Sequence, residues 1–335
     1  EYARGHCVRG IDPGRCRRPL VTNMLKTVLK ICCVLILAAV AALAVFWFSR
    51  PADVVFDDLK SSVPHSQFSK FADLDGLRIH YLEKGEGTPV VLIHGYTSST
   101  YTWKDQFAEL AKQYRVIAID LKGFGFSDKP DGDYSRRAQG EVVARLLDKL
   151  SIQRAWLVGN SMGGETALNV AVDHPEKVLG LVLIDSAGVK VQGRTSLAPW
   201  YLQMPVVGRL LTALALTSDK LVRAGLEKSF FDDSKITDER VNAYYQPLRT
   251  QGGQLSATRA RAQFELFPVE DRISSIKAPT LIIWGSEDEL IPLEAGRKLN
   301  ELITGSKLVV FDKCGHVPQE EMPERVLSEI TGFVK

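Results

Sequence analysis

From residue 74 onward, short apolar runs alternate with longer amphipathic stretches, and few architectures can satisfy that pattern. The short runs fall at 78–83, 90–94, 116–120, 155–159, 181–185, 280–284 and 308–311. Helix-length segments lie between most of them, at 103–114, 136–150, 162–173, 293–302 and 323–334. Strands apolar on both sides need cover on both faces, and a strand–helix–strand succession supplies it through parallel pairing. The pattern therefore predicts an α/β fold with a mostly parallel central sheet and helices on both faces. The alternation breaks once, between 188 and about 276, where the periodicity is helical and no strand is evident. This insert carries Trp200, Tyr201, Met204, Leu210, Leu211, Leu214, Leu216, Phe230, Phe231, Tyr244 and Tyr245. It reads as an α-helical cap over the strand ends, where ligands bind in open α/β sheets; a separate helical domain is the alternative.

Upstream, residues 31–48 (ICCVLILAAVAALAVFWF) form an uncharged run of eighteen. At about 1.5 Å per helical residue it just crosses a hydrocarbon core of about 30 Å. Lys26 and Lys30 precede it and Arg50 follows. The positive-inside bias places the N-terminus in the cytoplasm and the globular domain in the periplasm or outside the cell. A cleaved signal peptide is the rival reading, but the run ends in bulky Trp47 and Phe48, not in small residues. The expected layout is a leader or non-native extension at 1–23 and a transmembrane signal-anchor at 24–50. A polar tether at 51–71 follows, then an α/β core at 72–188 and 277–335 with the cap at 189–276.

Charge and cysteine narrow the function classes. The chain has 42 Lys and Arg against 40 Asp and Glu, and five arginines crowd into residues 1–23, so the globular part is close to neutral and offers no footprint for nucleic acid. Cys7, Cys16, Cys32 and Cys33 precede residue 34, which leaves Cys314 alone in the body of the chain. No internal disulfide can staple the main domain, and no partner stands at zinc-ligand spacing. Neither a metal nor a cofactor is expected.

The chemistry-bearing pattern is Gly159-Asn160-Ser161-Met162-Gly163, which fits G-x-S-x-G. An apolar strand precedes it and a helix former follows, the context of a nucleophile elbow; a helix-capping serine is the plain alternative. A serine hydroxyl needs a base, and the base needs an orienting carboxylate. Of the six histidines, His316 lies in a loop between the last strand and the last helix and is the candidate base. His94 follows a strand directly and reads as a structural loop residue. Asp288, after the penultimate strand, is the candidate acid, with Asp185 and Glu287 as competitors. The oxyanion of a tetrahedral intermediate needs two N–H donors, assigned to Met162 and to Tyr96, with Thr97 as the fallback.

Together these motifs resemble the α/β-hydrolase superfamily, in the branch with an HG-x oxyanion loop and a helical cap. The resemblance runs over about 74–335: HGY at 94–96, DLKGFGFSDKP at 120–130, GNSMGG at 159–164, LVLIDSAG at 181–188, WGSEDELIP at 284–292 and CGHVPQEEMPE at 314–324. It implies the α/β-hydrolase fold and a serine triad. The branch includes epoxide hydrolases and haloalkane dehalogenases, but these use a carboxylate nucleophile, and Ser161 argues against both. Membrane-anchored monoacylglycerol lipases resemble the layout of anchor, core and cap. The expectation is a membrane-tethered hydrolase of lipophilic carboxylic esters, acting through an acyl-enzyme. The alternatives are a carbon–carbon bond hydrolase of dienoic ring-cleavage products and a non-catalytic small-molecule receptor on the same fold.

Overall fold

The computed structural model describes residues 18–49, 53–191, 218–264 and 268–335. The chain divides at Pro51 into two units. The first holds helix α1 (Arg18–Ser49), whose segment Asn23–Ala41 is long and apolar enough to cross a membrane. The described side chains of this segment are exposed, Cys32 and Cys33 among them. The boundary expected at residue 24 falls inside the helix, and residues 1–17 of the expected leader lie outside the described residues.

The second unit is built on an eight-stranded sheet: β1 (Ser69–Leu74), β2 (Leu77–Lys84), β3 (Pro89–Ile93), β4 (Arg115–Ile119), β5 (Ala155–Asn160), β6 (Val178–Ile184), β7 (Thr280–Gly285) and β8 (Lys307–Phe311). Their order is β1-β2-β4-β3-β5-β6-β7-β8, parallel from β4 to β8 and antiparallel where β2 meets β1 and β4. The buried parallel runs are the expected ones. Alternation divides their side chains between two cores. Val91, Ile93, Ile117, Ile119, Leu157, Leu181 and Leu183 face one layer, and Val90, Leu92, Val116, Ala118, Trp156, Val158 and Val182 face the other.

Helices α3 (Arg136–Lys149), α4 (Met162–Asp173) and α8 (Leu293–Leu302) supply side chains to the first core. Helices α2 (Lys104–Leu110) and α9 (Pro323–Phe333) supply the second, through Phe107, Leu110, Val326 and Ile330. Phe107 is fully buried, and its truncation to Ala is expected to cost about 3–5 kcal/mol.

Two expectations are corrected. The segment 51–71 is not a plain tether: a short helix (Phe56–Leu59) and 3-10 turns lead into β1, and the Phe56 ring packs on Phe71, His80 and Phe126 at 4.9–5.5 Å. The helix expected from residue 103 opens instead as a 3-10 turn, Thr100–Trp103, before α2.

The cap is helical where described: α5 (Asp219–Glu227), α6 (Asp238–Leu248) and α7 (Gly253–Ala262). Thr237 caps α6 by accepting from Arg240 N–H at 3.2 Å, and Asp238 and Glu239 follow in its first turn, where the helix dipole favours anions. Leu226, Phe230, Ile236, Val241 and Tyr244 form a third apolar cluster with Tyr101 and Val317, residues of loops after β3 and β8. This described part of the insert thus sits on the sheet's loops and is no detached domain. Trp200, Tyr201, Met204, Leu210, Leu211, Leu214 and Leu216 lie outside the described residues.

Candidate active site

Ser161 stands between β5 and α4 at φ 54° and ψ −118°, a backbone conformation costly for any residue with a side chain. The neighbouring strand holds it there. Ser161 N–H donates to Ile184 O at 2.9 Å, and Ala187 N–H donates to Ser161 O at 3.0 Å. The glycines flanking the serine are required by closeness: a Cβ at Gly159 would lie 2.3 Å from Gly163 O, and one at Gly163 would lie 2.2 Å from Ile93 O. The serine side chain makes no capping bond to α4, so the helix-capping alternative is not what the structure contains.

His316, in the loop after β8, is 5% exposed, enough to reach a cavity. Its Nδ1 lies 2.7 Å from Asp288 Oδ2. Asp288 Oδ1 accepts the N–H groups of Leu290 at 2.7 Å and Ile291 at 2.9 Å, which fixes the carboxylate. Because a carboxylate only accepts, Nδ1 carries the hydrogen, and Nε2 is left as the basic nitrogen. Asn160, the variable residue of the elbow, clamps the two loops together: its Nδ2 donates to Ile184 O and to His316 O, both at 3.1 Å. Sequence reasoning passed over Asn160, which in G-x-S-x-G looks like any turn residue.

Ser161, Asn160, His316, Gly95, Tyr96 and Thr97 line one cavity of about 310 Å³. Its outer wall comes from the cap: Leu221, Val222, Gly225, Leu226, Lys228 and Ser229, with Tyr244 and Leu248. Among the described lining residues Lys228 is the one lysine or arginine. A Cβ built on Gly95 would come within 3.3 Å of Ser161 Cβ, so the loop bearing the Tyr96 amide lies against the nucleophile. The amide of Met162 opens α4 directly after it. The Tyr96 side chain points to the cap, its hydroxyl donating to Ala257 O at 3.0 Å, and burial pushes that phenol up to about 12.

His94 is fully buried, with Nδ1 donating to Gly95 O at 2.6 Å and Nε2 accepting from Leu121 N–H at 3.0 Å. Burial pushes its pKa down, so it stays neutral and shapes the loop. Of the competing acids, Glu287 is exposed and accepts from Ser286 Oγ at 3.0 Å. Asp185 is buried within reach of the dyad: ligating atoms of Asp185, Asp288 and His316 lie within 4.8 Å of one another. A cation could be asked of that trio, but the lone pairs of Asp288 already take three N–H donors, which describes a hydrogen-bonded triad acid better than a metal ligand.

The cap base is sewn to this loop. His316 N–H donates to Ser229 O at 2.7 Å. Glu321 Oε1 accepts Gly315 N–H at 2.7 Å, and its Oε2 accepts Phe231 N–H at 2.9 Å and Asp232 N–H at 3.2 Å. Burial, only partly offset by these donors, raises the Glu321 carboxyl above its usual range. Burial, aided by the charge of Glu321, also raises the Cys314 thiol, which leaves it unreactive.

A sequence model described as the alpha/beta hydrolase fold matches residues 88–323, well over half of the chain. The chain belongs to the alpha/beta hydrolase fold family. Within that family it is 35% identical over 268 residues to the 2-hydroxy-6-oxo-6-phenylhexa-2,4-dienoate hydrolase of Comamonas testosteroni, covering 76% of this chain and 91% of the relative. A solved meta-cleavage product hydrolase, CumD, is 31% identical with a TM-score of 0.68, over 80% of this chain and 98% of that one. A solved membrane phospholipase A, described as a bacterial virulence factor, is 28% identical with a TM-score of 0.72, over 92% of this chain and 98% of that one.

The dienoate and meta-cleavage product hydrolases overturn the expectation of carboxylic-ester hydrolysis. Curated hydrolases at 34–35% identity carry dienoate, semialdehyde or dienedioate names, the alternative read from the sequence. The elbow and triad residues serve both chemistries, so the motifs that revealed a hydrolase could not separate the two substrates.

Proposed function

We propose that this alpha/beta hydrolase cleaves the carbon–carbon bond beside the keto group of a 2-hydroxy-6-oxo-dienoate. The observation that carries the reading is the 35% identity to a dienoate hydrolase over 91% of that relative's length. The cavity fits it: an apolar cap wall faces the serine and histidine, and the ammonium of Lys228 is there to attract the dienoate carboxylate.

In this reading His316 Nε2 removes the Ser161 proton as Oγ bonds to the keto carbon, carbon 6 of the substrate. The N–H groups of Met162 and Tyr96 hold the resulting oxyanion, and Asp288 steadies the imidazolium. Collapse of the adduct breaks the bond between carbons 5 and 6. Its electron pair passes through the conjugated chain to the 2-oxygen of a substrate already ketonised by a proton at carbon 5. That oxygen then takes up a proton from the imidazolium. Water, deprotonated by His316, cleaves the acyl-enzyme, so one water is consumed and a carboxylic acid and a 2-hydroxydienoate leave.

The test is turnover of 2-hydroxy-6-oxo-6-phenylhexa-2,4-dienoate, followed by loss of its absorbance and release of benzoate, beside a panel of p-nitrophenyl esters. A kcat/KM of at least about 10⁴ M⁻¹s⁻¹ on the dienoate is expected. Turnover confined to the esters would reject the reading.

We also infer that α1 anchors the chain in a bilayer. The apolar stretch Asn23–Ala41 supports this. So does the likeness to the phospholipase: residues 52–335 are 284 of 335, or 85% of the chain, so a likeness over 92% reaches into the N-terminal unit. Membrane fractions washed with alkaline carbonate should retain the full chain and release a form lacking residues 1–51. Release of both would argue against an anchor.

A further inference from the structure

Asp185 closes β6 with a left-handed backbone, φ 44°, and a fully buried side chain. Its Oδ1 accepts Gly285 N–H at 3.0 Å. Its Oδ2 is buried and meets no donor, because the polar group facing it is another carboxyl, that of Asp288. Two adjacent buried carboxylates repel, and an ionised oxygen with no donor in the protein interior is costly, so such a pair keeps a proton. The N–H groups of Leu290, Ile291 and His316 already bond to Asp288 and hold it as the acceptor. Asp185 has one N–H and is the partner to be protonated. The other titratable groups facing Asp185 act in the same sense: besides Asp288, Glu321 adds negative charge, and the ring of His316 already spends its Nδ1–H on Asp288. Burial and the Asp288 charge raise the Asp185 carboxyl well above the usual range.

We infer that Asp185 and Asp288 hold one proton and one negative charge between them, with Asp185 the neutral acid whose O–H is donated to Asp288. Asp185 is then a positioning residue. It adds a fourth donor to the triad acid, spreads its charge, and keeps Asp288 from drawing the Nδ1 proton off His316. The inference rests on the reading of Ser161, His316 and Asp288 as a triad, but not on the identity of the substrate.

The pH dependence of Ser161 labelling by a fluorophosphonate tests it, since the acid limb reports protonation of His316. Asp185→Asn keeps an N–H donor without a charge, and its acid midpoint should stay within about 0.3 pH unit of the unsubstituted chain. Asp185→Leu removes the donor, leaves Asp288 more basic, and should move the midpoint up by about 0.5 unit or more. A downward move in Asp185→Asn would mean that Asp185 carries charge and would overturn the inference. So would an unmoved midpoint in Asp185→Leu, the sign of mere packing. If the leucine variant does not fold, a second comparison decides. Asp288→Asn leaves Asp185 free to ionise beside the imidazole and should be labelled at least about fivefold faster than Asp185→Asn/Asp288→Asn; equal rates would reject the shared charge. No labelling of the unsubstituted chain would break the triad and the pair together, whereas labelling without dienoate turnover would break only the substrate reading.

Discussion

Among the described residues stand two buried histidine–aspartate pairs with the same 2.7 Å Nδ1–Oδ2 separation, His316–Asp288 and His80–Asp120, and of these only His316–Asp288 stands in a candidate site. His80 Nε2 also lies 3.0 Å from Ser69 Oγ, so a serine, a histidine and an aspartate stand there in series, while Ser161 and His316 line one cavity. The surroundings separate them. Ser69 starts an antiparallel edge strand, whereas Ser161 is forced into a strained elbow. The His80 ring is enclosed by Phe56, Phe71 and Phe126, whereas His316 lines a cavity beside a loop with amides to offer. Asp120 spends its carboxylate on architecture, accepting the N–H groups of Thr100 at 2.7 Å and Phe126 at 2.9 Å. Three residue types at bonding distance are therefore not a catalytic centre. What is added at the first is room for a substrate, donors for an oxyanion and a nucleophile presented by strain.

Paired substitutions sharpen that contrast. Ser161→Ala should lower kcat on the dienoate by at least about 10³-fold, measured with the fold checked by circular dichroism, while Ser69→Ala should stay within about twofold. Comparable losses from both would erase the distinction. Next in size, Asp288→Asn should cost about 10² or more in kcat/KM. Asp120→Asn should instead lower unfolding stability in urea by about 1–3 kcal/mol while the folded enzyme keeps most of its rate.

The pH dependence of stability should also differ in sign between two buried acids. At Asp120 burial pulls the carboxyl up, but the charge and hydrogen bond of His80 outweigh it and hold the group below its usual range. Its contribution is present above the unfolded carboxylate pKa and is lost as pH falls. Glu165, one turn after Ser161, is raised to about 7 by burial, against the attraction of Arg136 at 3.6 Å. Its contribution is complete below about 4.5 and is lost as pH rises through 7, a swing of up to about 3 kcal/mol. Glu165→Gln should remove that part of the slope between pH 5 and 8 in urea melts; an unchanged slope would assign it to other groups. The smallest effect belongs to Lys228→Ala, with KM for the dienoate up about three- to tenfold and kcat nearly unchanged. A fall in kcat with KM unchanged would remove Lys228 from substrate recognition.

The interior was legible where burial writes itself into the sequence. Runs such as Val90–Ile93 within β3 and Leu281–Trp284 within β7 are apolar because both sheet faces are covered. Strand β1 escaped notice because only Ala72 and Leu74 of its six residues are buried, and SKFADL carries no continuous apolar signal. Ser161, Asp288 and His316 stood out as candidates because each follows a strand, where an α/β sheet presents its chemistry. Asn160, Glu321 and the pairing of Asp185 with Asp288 were hidden, since each depends on loops 24 to 156 residues apart meeting in space. Substrate class was misread because the leaving group bonds to no motif residue. What distinguishes an alcohol from a carbanion leaving group is stabilised along the cavity, outside the elbow.

The left-handed backbone of Ser161 has one more implication. A residue kept at φ 54° by bonds to Ile184 and Ala187 cannot hold that posture once β6 parts from β5. Its reactivity is thus a gauge of the sheet's integrity: under rising denaturant, an active-site label should report the first loosening of the central strands before the helical signal declines.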